Sequence, residues 1–135
     1  MKWFDVMAAA ITSATNDVGL AGIYGHEIRL GGAQVFKMPS LQYHLIADGE
    51  TELFSVVVLQ FDQWCKSTAE LAASELRLRR LFHRDLPEDF SGLTMWAQYV
   101  DGEPLSIPDR DGYFARAIRF RFTPLRDLYE SSPTS

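Results

Sequence analysis

The stretch LFSVVVLQFDQWCKSTAELAASELRLRRLFH, residues Leu53 to His83, decides the fold. Its opening, Leu53 to Trp64, is dense in Val, Leu and Phe, the residue types that suit a pleated and buried surface. Leu53, Val57, Leu59 and Phe61 share one parity, with Ser55 among them. Phe54, Val56 and Val58 hold the other, which turns polar at Gln60 and Asp62. Both faces are apolar in the first half, which predicts a central strand covered on both sides there. After Lys66 the period changes. Ser67 or Thr68 can accept the exposed N–H groups of a helix start, and Glu70 suits the positive end of its dipole. Ala69, Ala72, Ala73 and Leu76 form an apolar stripe that Leu71, Leu78 and Phe82 widen, predicting a helix over about 67–82. Arg77, Arg79, Arg80 and Arg84 gather near its C-terminal end, where cations are favoured. The junction carries no Gly-rich phosphate loop, nucleophile elbow or paired acids.

Working outward, Trp3, Phe4, Met7, Ala8 and Ile11 mark one face of an N-terminal helix that ends near Thr15-Asn16-Asp17, with Gly19 just beyond. The segment GLAGIYGHEIRLGGAQVFKMP, residues 19–39, reads as glycine-rich and irregular, with room for a short strand around Ile23–Leu30. Pro39 introduces SLQYHLIADGE, a strand closed by the turn signal Asp48-Gly49, so that it forms a hairpin with the next strand. Beyond the helix, RDLPEDFSG reads as a loop and Leu93–Val100 as a strand. DGEPLSIPDRDG is a long connection, and YFARAIRFRF a strand of clear alternation. In it Phe114, Ile118, Phe120 and Phe122 share a face with Arg116, while Ala115, Ala117, Arg119 and Arg121 share the other. The order α-β-β-α-β-β implies an α+β fold: a mainly antiparallel sheet of about four strands with two helices packed on one face. Residues 1–126 read as a single domain and 127–135 as a flexible C-terminal tail.

The chain has 135 residues, enough for one domain with its own core. Its apolar fraction of 47% and charged fraction of 23% are those of a folded soluble domain. A net charge of −5 argues against bulk nucleic-acid binding, which depends on a cationic surface. Cys65 is the only cysteine, so neither an internal disulfide nor a cysteine zinc site can form, and its position at a strand end suits a small buried group. No run approaches the roughly 20 apolar residues of a membrane helix. The N-terminus lacks the basic start of a targeting segment, which predicts a protein made in the cytoplasm.

Catalytic, cofactor and metal sites are not expected. His26, His44 and His83 are far apart and form no HxH, HxxxH or HExxH pattern. Asp109 and Asp111 in DRDG lack the distal Glu of a calcium loop. One enzymatic alternative remains: a small enzyme using His44 or His83 with a nearby acid. The arginines carry more information. Each has a plain reading as a solvated charge or a helix-dipole partner. Arg116, Arg119, Arg121, Arg79 and Arg80 together suit an Arg-rich subunit contact. Arg119 and Arg121 suit it best, because alanine neighbours let another surface approach. Changing both to Glu is expected to leave the monomer folded and weaken assembly.

Gly22–Gly25 within AGIYG, Pro39 and Tyr43 opening a strand, VVVLQFDQW, the following Ser/Thr/Ala-Glu-Leu-Ala helix and the closing ARAIRFRF give the chain a recognisable layout over residues 3–124. It resembles the tail terminator proteins of long-tailed bacteriophages, also called tail-completion or minor tail proteins. Proline and tyrosine are nearly adjacent in that pattern, whereas three residues separate them here. The resemblance implies a non-catalytic virion protein, a ring, commonly hexameric, at the head-proximal end of the tail tube. Such a ring stops tube polymerisation and offers a surface to head–neck connector proteins, while DNA passes through its channel without specific binding. The segments 19–38 and 103–112 are the expected contacts to tube and connector. Another phage neck or head-completion protein is the alternative within the same class.

Overall fold

The computed structural model describes residues 3–31, 39–50, 55–105 and 114–125. Residues 32–38 and 106–112 of the expected contact segments 19–38 and 103–112, the DRDG acids and the tail at 127–135 lie outside them. In chain order the elements are α1 (Trp3–Thr15), α2 (Val18–Tyr24), β1 (Ile28–Leu30), β2 (Ser40–Glu50), β3 (Ser55–Cys65), α3 (Thr68–Phe82), β4 (Glu88–Phe90), β5 (Leu93–Pro104) and β6 (Phe114–Pro124). The fold is α+β, with three helices and a six-stranded sheet among the described residues instead of two helices and four strands. The additions are the short elements α2, β1 and β4.

The sheet order is β1-β2-β3-β6-β5-β4. Only the β1–β2 pair is parallel among the described strands. The hairpin of β2 and β3 forms as expected, but Asp48 and Gly49 lie within the ladder, opposite Val57 and Val56, so the strands connect through 51–54. Bulges fall between Leu45 and Ala47 on β2 and between Tyr99 and Asp101 on β5. Each bulge adds a residue and increases local twist.

One sheet face carries the core. Val57, Leu59 and Phe61 of β3 lie beside Phe122, Phe120 and Ile118 of β6, and all six are buried. Phe82 at the end of α3 packs its ring on these: 5.5 Å from Phe61, 5.6 Å from Phe120 and 5.2 Å from Phe122, centre to centre. Helix α1 adds Val6, Ala9, Ala10 and Ala14 to the same cluster. Helix α2 adds Leu20 and Tyr24. The Tyr24 hydroxyl lies 2.5 Å from Ser74 Oγ and 3.5 Å from Cys65 Sγ, which ties α2, α3 and β3 together. Burial pushes the Cys65 thiol up, out of the reactive range, in line with its reading as a small core group.

Helix α3 begins as its sequence dictates. Ser67 Oγ accepts from Glu70 N at 3.1 Å, and Glu70 Oε1 accepts from Lys66 N at 3.1 Å. Its buried face is Ser74, Leu78 and Phe82. The stripe Ala69, Ala72, Ala73 and Leu76 faces outward. Apolar spacing located the helix, but the register of Phe82 against the sheet phenylalanines decides which side turns inward.

Candidate functional site

No helix lies on the opposite face of the sheet among the described residues. Val56 and Val58 are only half-buried there, so the expected covering of β3 on both sides is not found. Polar side chains from four strands meet on this face instead. His44 Nε2 on β2 lies 2.7 Å from Asp62 Oδ2 on β3. Gln60 Nε2 donates to the other Asp62 oxygen at 2.7 Å. Arg119 on β6 donates through Nε to Gln60 Oε1 at 2.9 Å, through Nη1 to Asp101 Oδ1 at 2.9 Å and through Nη2 to Glu103 Oε1 at 2.5 Å. The register makes this possible, because His44 is paired with Gln60, Gln60 with Arg119 and Arg119 with Asp101. Hydrogen bonding to Asp101 and Glu103 pushes the Arg119 guanidinium up, so it stays charged. A Cβ at Gly31 would fall on the His44 ring, so only glycine lets the imidazole lie where it reaches Asp62.

The His44–Asp62 pair is the arrangement expected of the enzymatic alternative. Among the described residues no hydroxyl or thiol is hydrogen-bonded to His44, so a nucleophile–base geometry is not assembled there. His83 lies elsewhere, and its Nδ1 accepts from Tyr99 N at 2.9 Å. No group of three or more His, Cys, Asp or Glu side chains that could hold a metal occurs among the described residues.

The five arginines expected at a contact do not form one patch. Arg119 is the hub of the ladder just described. Arg121 lies on the same face, exposed, with no ionic partner among the described residues. Arg116 points to the helix layer, where its Nε donates to Glu75 Oε1 at 2.5 Å, a hydrogen bond that pushes its guanidinium up. Arg79 shares that acid, 3.5 Å from Glu75 Oε2, and stacks 3.9 Å over the Tyr99 ring. Together Arg79 and Arg116 fasten α3 to β5 and β6. Arg80 is exposed at the outer side of α3 and has no acidic partner among the described residues.

Next to Arg80, the α1–α2 turn meets the end of α3. Asp17 caps α2 by accepting from Leu20 N at 2.9 Å and binds Arg77 with both oxygens, at 3.1 and 2.5 Å. Burial alone would raise the Asp17 carboxyl. The Arg77 and Leu20 hydrogen bonds outweigh it and hold the group below its ordinary value. In the sequence Asp17 reads as the stop of α1; as an Asp it is also a favoured N-cap residue, but the two glycines of Val18–Tyr24 conceal the helix it starts.

No protein-family model and no curated protein matches the chain. Among solved structures, a chain described as "Virion of native gene transfer agent (GTA) particle" is similar, with a TM-score of 0.59 at 11% identity. The match covers 88% of this chain and 93% of that one. At that identity the likeness is one of fold.

Proposed function

We propose that this chain is a structural subunit of a phage-type virion, and within that class a tail terminator that closes into a ring at the head-proximal end of the tail tube. The observation that carries the reading is the end-to-end fold likeness to a chain of the gene transfer agent virion, since the match covers nearly all of both chains. The sequence layout supports the finer assignment. So does the character of the open sheet face. Arg119 ties Gln60, Asp101 and Glu103 together across the strands, and Arg121 beside it is exposed with no ionic partner among the described residues, which suits a braced contact surface.

In this reading the partners are neighbouring copies of the chain, the tube protein below and the connector above. A ring needs two different, mutually complementary surfaces that meet head to tail and close under rotation. The open face bearing Arg121 is one candidate surface, while Arg116, Arg119 and Arg79 serve the subunit's own architecture. The net charge of −5 suits a channel through which DNA slides without retention. The test is a tube-assembly experiment. The tube protein from the same genome is polymerised with increasing amounts of this chain, and tube lengths are measured by electron microscopy. The reading expects shorter tubes with this chain at one end. Tubes of unchanged length, with the chain left in solution, refute it.

A further inference from the structure

We propose that the groove between the α1–α2 turn and the last turns of α3 is a docking site for carboxylate side chains of an acidic protein segment. The groove has a volume of about 420 Å³ and is lined by Asp17, Arg77, Arg80, Leu81, His83 and Arg84. It is a local reversal of sign on an acidic chain, and local sign governs which groups are drawn to a surface.

The donors are arranged for recognition. Arg77 is held in place by its fork on Asp17, and Gly19 leaves room for its stem, because a Cβ there would strike the guanidinium. Arg80 has no acidic partner among the described residues. Among the described residues the acidic partner of Arg84 is Glu88, in a loose, exposed pair at 3.4 Å. His83 Nδ1 accepts the Tyr99 N–H, which places the ring proton of a neutral imidazole on Nε2, so that nitrogen is a donor in either charge state. Leu81 adds an apolar wall against which the methylenes of a glutamate can lie.

Compensation of the helix dipole accounts for Arg79 and Arg80. It does not account for Arg77, whose partner is Asp17 on another element, or for the fixed tautomer of His83. Of the carbonyls at this helix end, Arg79 O accepts from His83 N at 2.8 Å, and just beyond the helix Arg84 O accepts from Trp96 Nε1 at 3.0 Å, so neither is open to repel an anion. Carboxylate is favoured over nucleic-acid phosphate for two reasons. The groove is one compact cluster, whereas a phosphate backbone requires an extended cationic stripe. A planar, singly charged carboxylate also matches the guanidinium fork and is repelled less by Asp17 than a polyanion. The site stands on this chemistry and is independent of the ring reading.

The test uses the full ¹⁵N-labelled chain, followed by NMR during titration with an oligoglutamate peptide, a single-stranded oligothymidine and inorganic phosphate. The expected result is saturable shifts at residues 77–84 with the peptide. Affinity should fall on the order of tenfold in Arg80→Glu/Arg84→Glu, and Arg80→Lys/Arg84→Lys should keep most of it. Both arginines are exposed, so the fold is retained, which the unchanged spectrum of the sheet residues verifies. No saturable shift, shifts scattered over the surface, or tighter binding of oligothymidine or phosphate than of the peptide would each overturn the proposal.

Discussion

Arg119→Glu and Arg121→Glu should behave as two different mutations although the residues are neighbours on one face of β6. The Arg119 side chain is 21% exposed and binds Asp101 and Glu103, which are 58% and 57% exposed. With that much solvent, each ion pair is worth about 0.5 kcal/mol. The hydrogen bond to Gln60 adds about 1 kcal/mol, since loss of Arg119 leaves a half-buried acceptor without its donor. Removal therefore costs about 2 kcal/mol. Glu at this position adds repulsion from the same two acids, bringing the total to about 3 kcal/mol. Arg121 is exposed with no ionic partner among the described residues, so its reversal should stay within about 0.5 kcal/mol. The assay is urea unfolding followed by circular dichroism, at protein concentrations low enough that assembly does not add to stability. In a parallel thermal scan the Arg119 variant should melt about 12 °C lower, at roughly 4 °C per kcal/mol for this chain length. Arg119→Glu as stable as wild type, or Arg121→Glu equally destabilised, would refute the ladder as a structural element.

Asp17→Asn keeps the cap of α2 and removes the charge that holds Arg77. Because the carboxyl lies below its ordinary value in the folded state, its contribution is present above about pH 4 and is lost as pH falls through the folded value. Unfolding at pH 7 and pH 3 should therefore show a wild-type advantage over Asp17→Asn that shrinks in acid; a constant difference argues against the pair. Ser67→Ala removes the acceptor for Glu70 N and should cost about 1 kcal/mol by the same urea assay, with no loss in Ser67→Asp. Phe82→Ala leaves a void among Phe61, Phe90, Phe120 and Phe122 and should cost about 3–5 kcal/mol; a loss under 1 kcal/mol would mean that this ring is not central to the core.

The long elements were legible because their signals are local. The start of α3 is written in Ser67 and Glu70, and the alternation of β6 in its phenylalanines and arginines. Helix α2 was not legible: Val-Gly-Leu-Ala-Gly-Ile-Tyr holds two glycines, each costing about 1 kcal/mol in a helix. It forms because Asp17 caps it and Leu20 and Tyr24 are buried in the core. Strands β1 and β4 have three residues each, too few for a period to appear. The open-face ladder depends on register. Gln60 and Asp62 were visible as the polar end of a strand, but Arg119 lies 59 residues from Gln60 in sequence, and only the β3–β6 pairing unites them. The arginines stand out in the sequence as clustered charges. Their separation into a sheet-face hub, a helix fastening and an open groove required the fold.

The most direct measurement is electron microscopy of the purified chain over a concentration series, alone and with tail tubes, with light scattering on the same samples. The account predicts closed rings with an open channel, in solution or seated on one end of the tubes. A particle that stays monomeric at every concentration and leaves both tube ends bare contradicts it.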